Sequence, residues 1–151
     1  MDKNYLLETS AQLKQVSVKT AEEYHLKAEQ LTTKINAVMS ERTDIESLVG
    51  KNNISMMKDN HANHVRFIAS ILKNYNSDIL VDTVLWVFSA YRCHGFTTNY
   101  WAAQLNSWIV IIKEVLSPEC SAEVYPYYEW MQINIPVFVK VSAEKPETQV
   151  L

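Results

Sequence analysis

Apolar and polar positions follow a helical period along almost the whole chain. Between Asn4 and Arg42 there is neither Gly nor Pro, and Tyr24, Ala28, Leu31, Ile35 and Val38 recur at spacings of 4, 3, 4 and 3. The stripe extends back to Ala21 and Ser17 and forward to Arg42 and Ile45. It reads as a heptad-like seam and predicts one long amphipathic helix over residues 1–42, suited to the domain's own core or to a second subunit. Ile45 to Gly50 predicts a short helical turn ended by glycine, and Asn52-Asn53 a cap for a helix from Ile54 to Tyr75. On that helix Met57, His61, His64, Ile68 and Ile71 share one face.

After Asn74-Tyr75-Asn76, Ser77 is placed to cap a third helix, Asp78 to Cys93. This helix is apolar almost all round and so is expected to be buried on several sides. Gly95 stops it, and Thr97 or Thr98 caps a fourth helix that runs to Leu116. Ser117-Pro118-Glu119 opens a fifth, with serine at N-cap and proline in the first turn. Pro126 is expected to kink or split that helix and Pro136 to end or bend it. The fold class is all-α, one domain over residues 1–151. Five to six helices form a globin-like stack or a helical bundle. An aromatic-rich core spans residues 54–141, and a frayed tail spans 142–151.

Composition sharpens this picture at three points. Only 2 of 151 residues are glycine, where average usage of about 7% gives roughly ten; hairpin turns need more. Residues 1–60 carry 17 charged side chains and two aromatics, and residues 61–140 carry 11 and 14, which places the core in the second part. The net charge of −3 gives no basic footprint for nucleic acid. No apolar run is long enough for a membrane span, the opening residues lack a signal peptide's apolar region, and Cys93 and Cys120 form no disulfide framework. A cytoplasmic protein is the expectation.

Chemistry-bearing residues are few. His61-Ala62-Asn63-His64 puts two imidazoles on one helix face, within the apolar stripe. Either they are a hydrogen-bonded polar core or they border a pocket; a metal site would need more ligands than the spacing offers. Cys93-His94-Gly95 reads as an activated thiol or as a helix C-terminus capped by glycine. Asp78 and Asp82 lie four apart, with Asp78 explained by the helix dipole. Arg92 is expected at the surface rather than as a buried anchor for an acid. No phosphate loop, nucleophile elbow or acid–base pair is present in the sequence. Together His61, His64, Trp86, Tyr91, Trp101 and Trp108 define a candidate ligand pocket, since Trp and Tyr combine apolar bodies with polar handles. Haem, through His64 or His94, is the alternative cofactor; the leading reading needs none.

The run Tyr91-Arg92-Cys93-His94-Gly95-Phe96-Thr97-Thr98-Asn99-Tyr100, followed by Leu105 and Trp108, resembles the Arg-x-x-Gly-Phe-Ser/Thr step in the N-terminal sensor domains of stressosome RsbR-type proteins. The resemblance spans about twenty residues. It implies a non-haem globin-like fold, a homodimer and a sensory or adaptor role with a protein partner, and it carries over no catalytic residue. The expected function is therefore non-catalytic sensing or regulation. The alternatives are a haem or metal protein and a dimeric interaction module without a ligand.

Overall fold

The computed structural model describes residues 1–144, and among these all regular structure is helical. Nine helices follow one another: α1 (Lys3–Ser10), α2 (Val18–Leu26), α3 (Ala28–Ser40), α4 (Ile45–Val49), α5 (Ile54–Lys73), α6 (Ser77–Arg92), α7 (Thr98–Val115), α8 (Pro118–Ile133) and α9 (Ile135–Ala143). The count exceeds the expected five to six for two reasons: the N-terminal stretch is broken, and Pro136 opens a helix instead of ending one. None of the described helices is long and apolar enough to cross a membrane.

The predicted helix over 1–42 is three helices. Ser17 belongs to no seam. Its backbone is extended, and its side chain caps α2 by accepting from the Thr20 N–H. A second break at Lys27 separates α2 from α3. The apolar stripe survives in part. Tyr24, Leu31 and Ile35 are buried, but Val38 is 41% exposed and Met39 takes the interior position instead. Each break removes helical hydrogen bonds, and tertiary partners replace them at the first. The Glu123 carboxylate on α8 accepts from the Ser17 N–H at 2.8 Å and from the Ser17 hydroxyl at 3.0 Å. In return the Glu23 carboxylate on α2 accepts from the Ser117 N–H and hydroxyl, at 2.6 and 2.7 Å, where α8 begins. Each carboxylate thus sits at the positive end of the other's helix, a favourable placement. Bonding to Ser117 holds the Glu23 carboxyl down at about 2.

Other helix ends match their sequence signals with small shifts. Thr97 caps α7 and Ser117 caps α8, whereas α6 is capped by Asn76 rather than Ser77. Asn53 precedes α5, but its amide donates to the carbonyls of Val49 and His94 instead of capping. Gly95 ends α6 in a Schellman arrangement. The Phe96 N–H donates to Tyr91 O, the Gly95 N–H to Arg92 O, and the Tyr91 and Phe96 rings meet edge to face, as that motif's hydrophobic contact requires. Pro126 does not split α8. It is exposed, as is Ala122, whose carbonyl would have been its partner, so solvent replaces the lost bond. The expected frayed tail begins too early, because α9 extends to Ala143; residues 145–151 lie outside the described residues.

At the centre lies α7, packed against α3 and α8 and flanked by α4 and α9. Tyr100, Trp101, Gln104, Leu105, Trp108, Ile111, Ile112 and Val115 are all buried on it, a stripe wide enough to meet helices on two sides. On one side α5 packs on α2 and α3; on the other α6 packs on α1 and α9. The expectation that α6 is buried on several sides holds only in part. It buries Leu80, Val81, Val84 and Phe88, while Ile79 is 53% and Trp86 67% exposed. Although three residues join α5 to α6, the two are not a closely packed pair, and a gap remains between them.

Both glycines have positive φ, +95° at Gly50 and +98° at Gly95. A Cβ at Gly95 would meet nothing closer than 3.9 Å, but one at Gly50 would lie 3.0 Å from Asn53 Nδ2. Gly95→Ala is expected to cost about 1–2 kcal/mol from backbone strain alone. Gly50→Ala should cost more, because it also displaces the amide that joins the two loops. Urea denaturation of both variants tests the order.

Candidate functional site

The gap between α5 and α6 is a cavity of about 210 Å³. Phe67 of α5 and Val84, Val87, Phe88 and Tyr91 of α6 form its sides, with Trp101, Leu105, Met131 and Phe138 from α7, α8 and α9 beneath. Phe88 lies flat on Trp101 with ring centroids 4.5 Å apart, and Tyr91 meets the same indole edge to face. Asn63 and Trp86, both exposed, mark the mouth.

Four of the six sequence-named residues, His64, Trp86, Tyr91 and Trp101, stand on this wall, and His61 and Trp108 do not. The histidine pair is divided by its environment. His61 is fully buried; its Nδ1 lies 2.7 Å from Asn36 Oδ1 of α3 and its Nε2 3.2 Å from the Tyr100 hydroxyl. Since Asn36 Oδ1 only accepts, the proton is on Nδ1, and Nε2 is left as an acceptor. His64 is half-buried and borders the cavity. Its imidazole stacks on Trp108 at 4.9 Å, and Nε2 lies 2.8 Å from the Tyr128 hydroxyl, itself 2.7 Å from that of Tyr24. Trp108 is wholly buried, and its Nε1 has no hydrogen-bond partner among the described residues.

Gln104, missed by sequence reading, and Asn60, expected only as a hydrogen-bond partner for the histidines, are the deeply buried amides of the cavity wall. Gln104 Nε2 donates to Asn60 Oδ1 at 2.7 Å and to the Tyr100 hydroxyl at 2.8 Å, and that hydroxyl lies 2.8 Å from Asn60 Oδ1. Their signal was present: Gln104 falls on the Trp101, Leu105, Trp108 face, and Asn60 one turn before His64 on its stripe. A polar residue on an apolar helix face marks a buried network or a site.

No Asp, Glu, Lys or Arg lines the cavity, and burial holds both imidazoles neutral by pushing their pKa values down to about 3, with His61 adding to the effect at His64. The remaining candidates fall outside it. Cys93 and His94 are exposed at the end of α6, in the glycine-capped turn. Arg92 is exposed and donates to Val139 O and Ser142 Oγ. Asp82 pairs with Lys3. Among the described residues no group of three His, Cys, Asp or Glu is placed to hold a metal ion. Haem does not fit either: the cavity is smaller than a porphyrin, His64 Nε2 is taken by Tyr128, and His94 lies away from any aromatic pocket.

Comparison with protein-family models, with curated proteins and with solved structures finds no match for this chain.

The two imidazoles make stability depend on pH. In the unfolded chain they take up protons near pH 6.5, but in the folded chain only near 3. Between those values the unfolded state binds more protons, so stability is full above about 6.5 and falls as pH drops, by at most about 1.4 kcal/mol per unit and group. Carboxylates add their share only lower. Urea denaturation at pH 7 and pH 5 should show a loss of a few kcal/mol, reduced by about half in His64→Gln.

Proposed function

We propose that the chain is a non-catalytic sensory or regulatory protein that binds a small ligand in the cavity between α5 and α6. The cavity itself carries the reading, with its apolar and aromatic wall, its buried amides and its mouth at Trp86. A dry cavity of about 150 Å³ suffices for benzene, so 210 Å³ suits a single-ring compound rather than a nucleotide or a porphyrin. Ligands favour such concave apolar places with a few fixed polar groups. Binding would act on the separation of α5 and α6, which belong to different parts of the helical stack. A globin-like arrangement and kinship with RsbR-type sensors belong to the same proposal. Their support is the helical class and the Arg92-Gly95-Phe96-Thr97 step. So does a cytoplasmic setting, supported by the free thiols of Cys93 and Cys120.

Toluene is the simplest probe. At a hundredfold excess over Kd, it should stabilise the fold by about 2.7 kcal/mol; native mass spectrometry of the untagged chain should show added mass from a resident ligand. Val87→Trp fills the cavity and should abolish the toluene response. A chain without added mass that neither toluene nor a polar single-ring compound such as benzamide stabilises would end this reading.

A second reading, a homodimeric interaction module, is favoured by one observation. Val38 of α3 and Val110 of α7, 41% and 55% exposed, lie in the same surface groove with Ala103 and Ile111. Exposed apolar side chains grouped in this way mark contact surfaces. Sedimentation should give a dimer for the wild type and a monomer for Val110→Lys. A wild-type monomer would end this second reading.

A further inference from the structure

We infer that the cavity selects a neutral single-ring aromatic ligand carrying a primary amide or lactam edge. This rests on the proposed function, since it specifies the ligand of that same cavity.

Both N–H groups of Gln104 Nε2 are used, on Asn60 Oδ1 and on the Tyr100 hydroxyl. Asn60 Oδ1 accepts from Gln104 Nε2 and competes with His61 Nε2 for the single proton of the Tyr100 hydroxyl, so it offers a ligand no free position comparable to the other two amide atoms. Asn60 Nδ2 and Gln104 Oε1 remain, and neither bonds to any described residue. Asn60 is 4% exposed and Gln104 2%, yet among the described residues only Trp108 Nε1 is an enclosed polar side-chain atom without a partner. The two free amide atoms therefore retain accessible surface, and the space both residues border is the cavity. One is a donor and the other an acceptor. Exchanging the orientation of both amides swaps their places but still leaves one of each.

A buried donor and a buried acceptor on the wall of one cavity suit the two polar groups of an amide edge. A ligand C=O would accept from Asn60 Nδ2, and its N–H would donate to Gln104 Oε1, while its ring packs among Phe88, Trp101 and Leu105. An apolar ligand would displace water from both atoms and leave them unpaired, which is costly. Charged ligands are disfavoured more strongly: the lining holds no ionised side chain, and an unpaired buried charge costs far more than an unpaired dipole.

Calorimetric titration at pH 7 with benzamide, acetophenone, toluene and benzoate tests this. Acetophenone keeps the shape and the acceptor but replaces NH₂ by methyl. Benzamide is expected to bind about tenfold or more tightly than acetophenone, the worth of one hydrogen bond, and benzoate not to bind. In Gln104→Met the two neutral carbonyl ligands should bind alike, and toluene at least as tightly as to the wild type, since one unpaired amide atom is gone. Equal binding of benzamide and acetophenone to the wild type, with toluene still bound, would overturn the selectivity and leave the cavity reading intact. Binding of benzoate as tightly as benzamide would overturn it too. Absence of binding by both toluene and benzamide would remove both readings. If Gln104→Met does not fold, the wild-type series decides alone.

Discussion

The Tyr100 hydroxyl is the point on which the interior depends. It lies within hydrogen-bond reach of Asn60 and His61 on α5 and of Gln104 on its own helix, and through His61 the network reaches Asn36 on α3. α5 and α7 are not a closely packed pair; long polar and aromatic side chains bridge them instead. A bridge of this kind tolerates no missing member, because each atom left without a partner in a low-dielectric interior costs more than a formed bond gains. The network thereby fixes how far α5 stands from α7, and so how much space remains between α5 and α6.

The frame around that space is built from helix ends. Glu23 and Glu123 each close the N-terminus of the other's helix, tying α2 to α8 where the sequence breaks its helices. Two residues before Ser17, Gln15 reaches the segment between α5 and α6, accepting from the Tyr75 N–H at 2.8 Å. Trp130 donates to Thr9 of α1. Each of these contacts joins the first forty residues to the aromatic core. The N-terminal segment is thus part of the stack and not an appended arm.

Local signals were legible where they depend on a few neighbouring residues. Gly50, Gly95, Thr97 and Ser117 each end or begin a helix as their chemistry demands. The failures share a cause. Ser17 reads equally well as a seam position or as a cap, and the choice is made by Glu123, 106 positions away. Pro136 reads as a stop, yet proline is equally at home in a helix's first turn. The apolar surround of α6 could not be resolved, since which side of such a helix meets solvent is set by its neighbours. At the site, the histidines announced a polar feature on an apolar face. The partners that give each its role, Asn36 and Tyr100 for His61, Tyr128 and Trp108 for His64, come from three other helices. Asn60 and Gln104 were legible by the same rule and were masked by the more conspicuous rings around them.

A cavity in this position is not neutral for the fold. At about 24 cal/mol per Å³, a dry void of 210 Å³ would cost on the order of 5 kcal/mol, comparable to the lower end of a domain's whole stability. Larger side chains at Thr83 or Val87 would fill it from the α6 side without touching the buried network. Both residues are small beside the Phe, Trp, Tyr, Leu and Met side chains that share the wall, and both are only half-buried. Keeping them small maintains an opening that packing energetics would close. The amides beneath lower the cost only when something hydrogen-bonds to them. Water does so in part, but a ligand that also covers the rings would recover the apolar burial that the open gap forgoes. That difference between a wet and an occupied cavity sets how much a ligand can add to the stability of the fold.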